Sequence, residues 1–244
     1  MLDRALFISD LHLCENEAVT ARLFFDFLET HAASASSLYI LGDLFDAWAG
    51  DDDLADPFNL KVVTSLRQLS DSGVALSIMH GNRDFLMGPQ FFEAAGACHI
   101  PDPWLCDIFG EPTLLVHGDT LCTADVKYQS FRQRVRNEAW QADFLAQPLD
   151  TRKAAIRELR RQSEVEKPEK AAEIMDVDPA AVDALLRENA CARLIHGHIH
   201  RPGRHIHVVD SRPCERWVLG DWHEDGAACI HCRRDGIGFL DAKK

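Results

Sequence analysis

Five times in this 244-residue chain a short apolar run ends in residues of the kind that bind metal ions. Ala5 to Ile8 leads into Asp10-Leu11-His12, Leu38 to Leu41 into Gly42-Asp43-Leu44-Phe45-Asp46, and Val74 to Met79 into Gly81-Asn82-Arg83-Asp84. Leu114 to Val116 leads into His117-Gly118-Asp119, and Leu194-Ile195 into His196-Gly197-His198-Ile199-His200. In an open α/β sheet, functional groups gather beyond the carboxyl ends of the strands, so clusters distant in sequence can converge on one site. Asp10 and His12, two apart on a strand-end loop, can both turn inward around Leu11. Asp43 and Asn82 each follow a glycine, which lets the backbone approach closely.

The candidate ligands are Asp10, His12, Asp43, Asn82, His117, His196 and His198. A first-row ion takes about four to six ligands including water, so this set implies two ions with one aspartate between them. Two cations roughly 3.5–4 Å apart can generate a hydroxide at neutral pH and clamp a phosphoryl group under in-line attack. The chemistry indicated is hydrolysis of a phosphoester or phosphoanhydride. Oxygen and imidazole donors without thiolate favour Mn²⁺, Fe or Zn²⁺. Taken singly, an Asp-x-His or a His-x-His is more often a surface loop or a structural hydrogen bond; the ordered set of five carries the reading.

The elements that must position these residues follow from periodicity. From Ala5 to His117, β-branched or leucine-rich runs alternate with helix-like segments, the pattern of βα units around a largely parallel sheet. Helices are predicted from about Glu17 to His31 and from Asn59 to Leu69. After His117 the pattern changes. Ala124 to about Asp176 reads as helical, broken at Pro148 and Pro168, and forms a candidate cap of residues 123–176 inserted between core segments 1–122 and 177–244. His205–Val209, Arg216–Leu219, Ala227–His231 and Ile237–Leu240 read as an antiparallel meander.

A formal charge of −13 argues against general nucleic-acid binding, which rests on a cationic surface. No run approaches the roughly 20 apolar residues that span a bilayer, and Met1-Leu2-Asp3-Arg4 runs directly into a strand, so a cytoplasmic protein with no obligate protein partner is expected. The eight cysteines are too sparse for a disulfide scaffold and should be reduced thiols. Cys229 and Cys232 have zinc-like spacing without a second pair, so strand alternation explains them better. The same holds for His205 and His207.

The ordered clusters resemble the calcineurin-like metallophosphoesterases, whose pattern is D-x-H, G-D-x-x-D, G-N-H-[DE], a lone H and G-H-x-H. The resemblance implies an α/β fold of two packed mixed β-sheets flanked by helices, here with an inserted helical cap. It would place Asp10, His12, Asp43 and His198 on one ion and Asp43, Asn82, His117 and His196 on the other, with Asp43 bridging. Arg83 stands where most of the superfamily has histidine, substituting a permanent cation whose fork suits phosphate oxygens for a histidine acid.

The words FISDLHL, YILGDLFDAWAGDD, HGNRDFL, VHGDTLC, IMDVD and LIHGHIHRP are similar to those of the UDP-2,3-diacylglucosamine pyrophosphatase family of lipid A biosynthesis. That resemblance implies a UDP-linked diacyl-glucosamine lipid as substrate, usually with Mn²⁺, at the cytoplasmic face of the inner membrane. Asn82, Arg83 and His117 would serve catalysis, and Asn82, Arg83, Asp125, Ser163, Lys167, Lys170 and His196 would contact substrate. Lys127 to Arg161 holds nine Lys or Arg against four acids, net +5 within an acidic chain. Trp140, Phe144, Leu145, Leu149 and Ile156 there could line an acyl cavity or meet a membrane, or could simply pack an amphipathic hairpin on the core. The competing functions are a phosphodiesterase or phosphatase for a soluble phosphoester, and a non-catalytic scaffold.

Overall fold

The computed structural model describes residues 3–166, 176–224 and 226–242. The chain runs β1 (Arg4–Ile8), α1 (Ala18–Thr30), β2 (Ser37–Leu41), α2 (Pro57–Asp71), β3 (Ala75–Met79), α3 (Pro89–Ala95), β4 (Cys98–His99), β5 (Trp104–Ile108) and β6 (Glu111–Val116). It continues through α4 (Val126–Val135), α5 (Glu138–Leu145), α6 (Leu149–Glu166), α7 (Pro179–Glu188), β7 (Arg193–His196), β8 (Gly203–Val209), β9 (Arg212–Val218), β10 (Trp222–His223), β11 (Gly226–Arg233) and β12 (Gly236–Asp241).

Two sheets result. One has the order β10-β11-β1-β2-β3-β4 with β12 added on β11, and the other the order β5-β6-β7-β9-β8. Strand alternation sorts the side chains into layers. Leu6, Ile8, Leu38 and Ile40 pack with the helix residues Phe24, Phe27, Val62, Leu66 and Phe91. Ala5, Phe7, Leu41 and Met79 face Leu115, Ile195 and Trp217 across the gap between the sheets. Leu114, Val116 and Leu194 turn outward onto Val182 and Leu186 of α7. The strands β1, β2 and β3 are parallel, as are β6 and β7, so within each sheet their carboxyl ends point the same way.

All five apolar runs are strands that end at the expected clusters. The first helix lies within a residue of its expected bounds. The second starts two residues earlier than Asn59, because Asp56 caps it through Phe58 N and Asn59 N with Pro57 in the first turn. The expected single meander is instead two hairpins in different sheets, β8–β9 in the smaller and β11–β12 in the larger. Alternation marks a strand without naming its partner.

Residues 126–166 are helical as expected, with a break before Asn137, which caps α5, and another at Pro148; Pro168 lies outside the described residues. The apolar residues of this segment largely pack inward. Phe144 joins the helix-side core with Trp140, Ala155 and Ile156 against it, while Leu145 stays exposed. Its cations meet core carboxylates: Arg152 is buried against Asp52, and Lys153 lies 2.6 Å from Asp53. The charge contrast read in the sequence is therefore in part a docking surface between these helices and the core. All eight cysteines are free. Cys229 and Cys232 lie three apart on β11 and pack into different cores, which separates them as a pair.

Candidate metal centre

The strand-end loops adopt an uncommon backbone. Asp10, His12, Asp43, His198 and His200 all have positive φ, at 55°, 51°, 52°, 70° and 54°. Each such residue costs on the order of 1–3 kcal/mol and persists only where its surroundings fix it. Here the loops hold one another: Asp10 N donates to Gly42 O at 3.1 Å, His12 N to Asp43 O at 3.0 Å, and Gly197 N to His117 O at 2.9 Å. Glycine is required at Gly81 and Gly197, where a Cβ would stand 2.1 Å from Asp43 Oδ1 and 2.2 Å from Asp10 Oδ2.

The loops bring two groups of donors together. Asp10, His12 and His200 form one, with His12 Nε2 3.3 Å from His200 Nε2 and His200 Nε2 3.4 Å from Asp10 Oδ1. In the other, Asn82 Oδ1 lies 2.9 Å from both His117 Nε2 and His198 Nδ1. Asp43 stands between them, its Oδ2 3.8 Å from His12 Nδ1 and its Oδ1 3.9 Å from His117 Nε2. Asp10 Oδ1 and His12 Nδ1 are buried with no hydrogen-bond partner. An anionic oxygen and an imidazole nitrogen left so are costly unless a cation satisfies them.

Electrostatics tell the same story. Burial opposes it, yet the Asp43 and Asp119 carboxylates push His117 up to about 9. Burial raises Asp43 above the ordinary carboxylate value, with the Asp84 and Asp10 charges adding to it. Against its own burial, Asp10 is held below that range by the His200 imidazole 3.4 Å from Oδ1 and by the charge of His117. Burial, then the Arg83 charge, lowers His12 to about 2. These groups fit a pair of divalent cations: a bridging carboxylate, a second carboxylate, an amide oxygen and four imidazoles without thiolate.

One expected member does not belong. His196 is fully buried with Nδ1 2.8 Å from Gly197 O and Nε2 3.1 Å from Arg216, so both ring nitrogens are engaged away from the two donor groups. It is the last residue of β7 and shares its face with Leu194, which points to α7. His200 takes the place expected for His198 beside Asp10 and His12, and His198 takes the place expected for His196 beside Asn82 and His117. The signal was present: G-H-x-H fits Gly197-His198-Ile199-His200 directly, whereas His196 precedes the glycine.

Around this centre, Arg83 pairs with Asp46, its Nε lies 3.5 Å from Asp43 Oδ2, and its N donates to Asp43 Oδ1 at 2.9 Å. Asp84 ties two loops by accepting from Gly81 N at 2.8 Å and Leu44 N at 2.7 Å. Neither Asp46 nor Asp84 caps a helix. Arg160 of α6 reaches Asp46 Oδ1 at 2.9 Å, which brings that helix to the rim of the centre. A cleft of about 440 Å³ opens there between His12, Cys14, Thr20, Asp46, Arg160 and Trp222. Asp125 caps α4 through Tyr128 N, and Ser163 is exposed on α6. Lys167 and Lys170 lie outside the described residues. No helix among the described residues is long and apolar enough to cross a membrane.

The sequence is similar to those of known proteins. Residues 4–202 match the family described as Calcineurin-like phosphoesterase. A protein of Aromatoleum aromaticum named UDP-2,3-diacylglucosamine hydrolase is 55% identical over 234 residues, 96% of this chain and 94% of its own. One of the same name from Cellvibrio japonicus is 51% identical, covering 96% of this chain and 97% of its own. Another from Aeromonas salmonicida is 45% identical over 92% of this chain and 88% of its own.

Proposed function

Because the chain belongs to the calcineurin-like phosphoesterase family, we propose that it is a dimetal hydrolase of UDP-2,3-diacylglucosamine. Water attacks the α-phosphorus of the pyrophosphate and releases UMP and 2,3-diacylglucosamine 1-phosphate, a step of lipid A biosynthesis. The observation that carries the metal reading is the pairing of orphaned Asp10 Oδ1 and His12 Nδ1 beside a carboxylate, Asp43, that faces both donor groups.

Asp10, His12, Asp43 and His200 would hold one ion, and Asp43, Asn82, His117 and His198 the other, with Mn²⁺ the best match to this donor set. Bound ions would supply the positive charge that activates water and neutralises phosphoryl oxygens. Arg83 adds a guanidinium that remains charged through the reaction, and its contact with Asp46 keeps its fork at the edge of the cleft. Asp84 holds the loops of Asp43 and Asn82 in fixed relation, so positions essential to in-line geometry do not drift.

Helices α4 to α6 act as the cap, with Arg160 at the rim, Asp125 meeting the glucosamine or its neighbours and Ser163 the substrate; Lys167 and Lys170, outside the described residues, are assigned to the substrate on the resemblance alone. The lipid is drawn from the cytoplasmic face of the inner membrane, to which the protein attaches peripherally; exposed Leu145 and Leu159 together with Val126 offer apolar contact there. Incubation with Mn²⁺ and the UDP-diacyl sugar should release UMP, and His200→Ala should abolish it. Equal turnover of unacylated UDP-sugars would instead assign the site to a soluble nucleotide substrate, and no UMP with metal present would refute the assignment.

A further inference from the structure

His196 lies outside the metal-holding set, yet both of its ring nitrogens are engaged. Nδ1 faces the carbonyl of Gly197 at 2.8 Å, so this nitrogen carries the proton and donates. Nε2 must then accept, and the guanidinium of Arg216 supplies the donor at 3.1 Å. Arg216 is oriented in turn. Its Nε donates to His207 Nε2 at 3.3 Å, and His207 Nδ1 lies 2.7 Å from Asp183 Oδ1 on α7. A line of four polar side chains thus crosses the outer face of the smaller sheet and ends on one backbone carbonyl.

That carbonyl begins the turn that carries His198 and His200. Gly197 N is held by His117 O and Ile199 N donates to Gly197 O, both at 2.9 Å. Asp10 Oδ2 accepts from His198 N at 2.8 Å and crowds Gly197 from the other side. His198 and His200 then take positive φ, a conformation that the chain does not hold without outside support. A buried histidine facing an arginine is an expensive way to fill a sheet, since apolar residues of similar volume commonly serve as well or better. Its one outlet is the fixed direction of the Gly197 carbonyl.

We infer that His196 is a positioning residue: oriented by Arg216, it holds the Gly197 carbonyl and thereby fixes the turn that presents His198 and His200 to the metal ions. The inference rests on the metal-holding part of the proposed function. It assigns Arg216, His207 and Asp183 to the support of that turn, with their influence falling from Arg216 outward.

The test is Mn²⁺ titration by calorimetry of metal-stripped wild type, His196→Ala, His196→Asn and Arg216→Met, with thermal midpoints of the metal-free proteins alongside. Residues that orient metal ligands typically change affinity 10–100-fold when removed, so His196→Ala should weaken Mn²⁺ binding by about that factor. Asparagine places an amide N–H near the position of Nδ1, and His196→Asn should recover most of the loss. Arg216→Met, which leaves His196 in place, should lose part of the affinity. A folded His196→Ala that binds Mn²⁺ like wild type overturns the inference, as does His196→Asn binding no better than His196→Ala. If His196→Ala fails to fold, unchanged affinity in Arg216→Met overturns it equally. Wild type that binds no Mn²⁺ would refute the proposed function as well, which separates the two failures.

Discussion

Gly81→Ala puts the place of Asp43 to a direct test. A Cβ on Gly81 would lie 2.1 Å from Asp43 Oδ1 and 2.2 Å from Asp43 N, whereas real Cβ atoms essentially never approach closer than 3.0 Å. The carboxylate must retreat by at least 0.9 Å, the gap between 2.1 and 3.0 Å. Gly81 does not have positive φ, so the contact is the penalty the structure shows. Because the backbone N of Asp43 is also struck, a rotamer change of the carboxylate cannot relieve it. A displacement near 1 Å within a reacting assembly lowers the rate by about 10²-fold, equivalent to about 2.7 kcal/mol of transition-state stabilisation. The assay is kcat for UMP release at saturating Mn²⁺. Gly110→Ala is the counterpart: φ is +94° with nothing within 4 Å of the new Cβ, so it should lose about 1–2 kcal/mol of stability and keep full activity. If Gly81→Ala retains kcat within about threefold of wild type, Asp43 does not need the position it occupies, and the reasoning from its two facing oxygens fails.

Three further outcomes are expected. Arg152 is buried and donates to Ala49 O, Gln147 O and Asp52; Arg152→Met should loosen α6 by about 2–4 kcal/mol, read as faster limited proteolysis within residues 149–166, and unchanged cleavage would refute that anchoring role. Burial, then the Asp119 charge, raises Asp102 to about 6, above the value of 3.8 for an unperturbed aspartate. A raised carboxyl stabilises the fold below pH 4 and loses that contribution as pH climbs through 6, so Asp102→Asn should gain up to about 3 kcal/mol over wild type at pH 8 and little at pH 4 in thermal melts. Mn²⁺ at a hundredfold its Kd should stabilise metal-stripped protein by about 2.7 kcal/mol, a rise of about 5–11 °C in Tm for a chain of this size; an unshifted melt would argue against a folded-state metal site.

How far the site was legible in the sequence is best judged at His196, His198 and His200. The five clusters converge because β1, β2 and β3 run parallel, as do β6 and β7, and apolar runs ending in polar residues reveal that without any contact being known. What a run cannot reveal is the residue at which a strand stops. His196, His198 and His200 share one parity, and strand alternation alone would send all three to the same face. Yet β7 ends at His196, which stays on the face of Leu194 toward α7, while positive φ at His198 and His200 turns the chain and frees both from the alternation. The two-residue shift in the expected ligands follows from that one boundary. The same limit governs the basic segment from Lys127 to Arg161. Its composition disclosed an excess of cations but not their partners, because Asp46, Asp52 and Asp53 lie about a hundred residues away in sequence. Periodicity reads local geometry well; the direction of a side chain at an element's end, and the long-range charge that meets it, belong to packing.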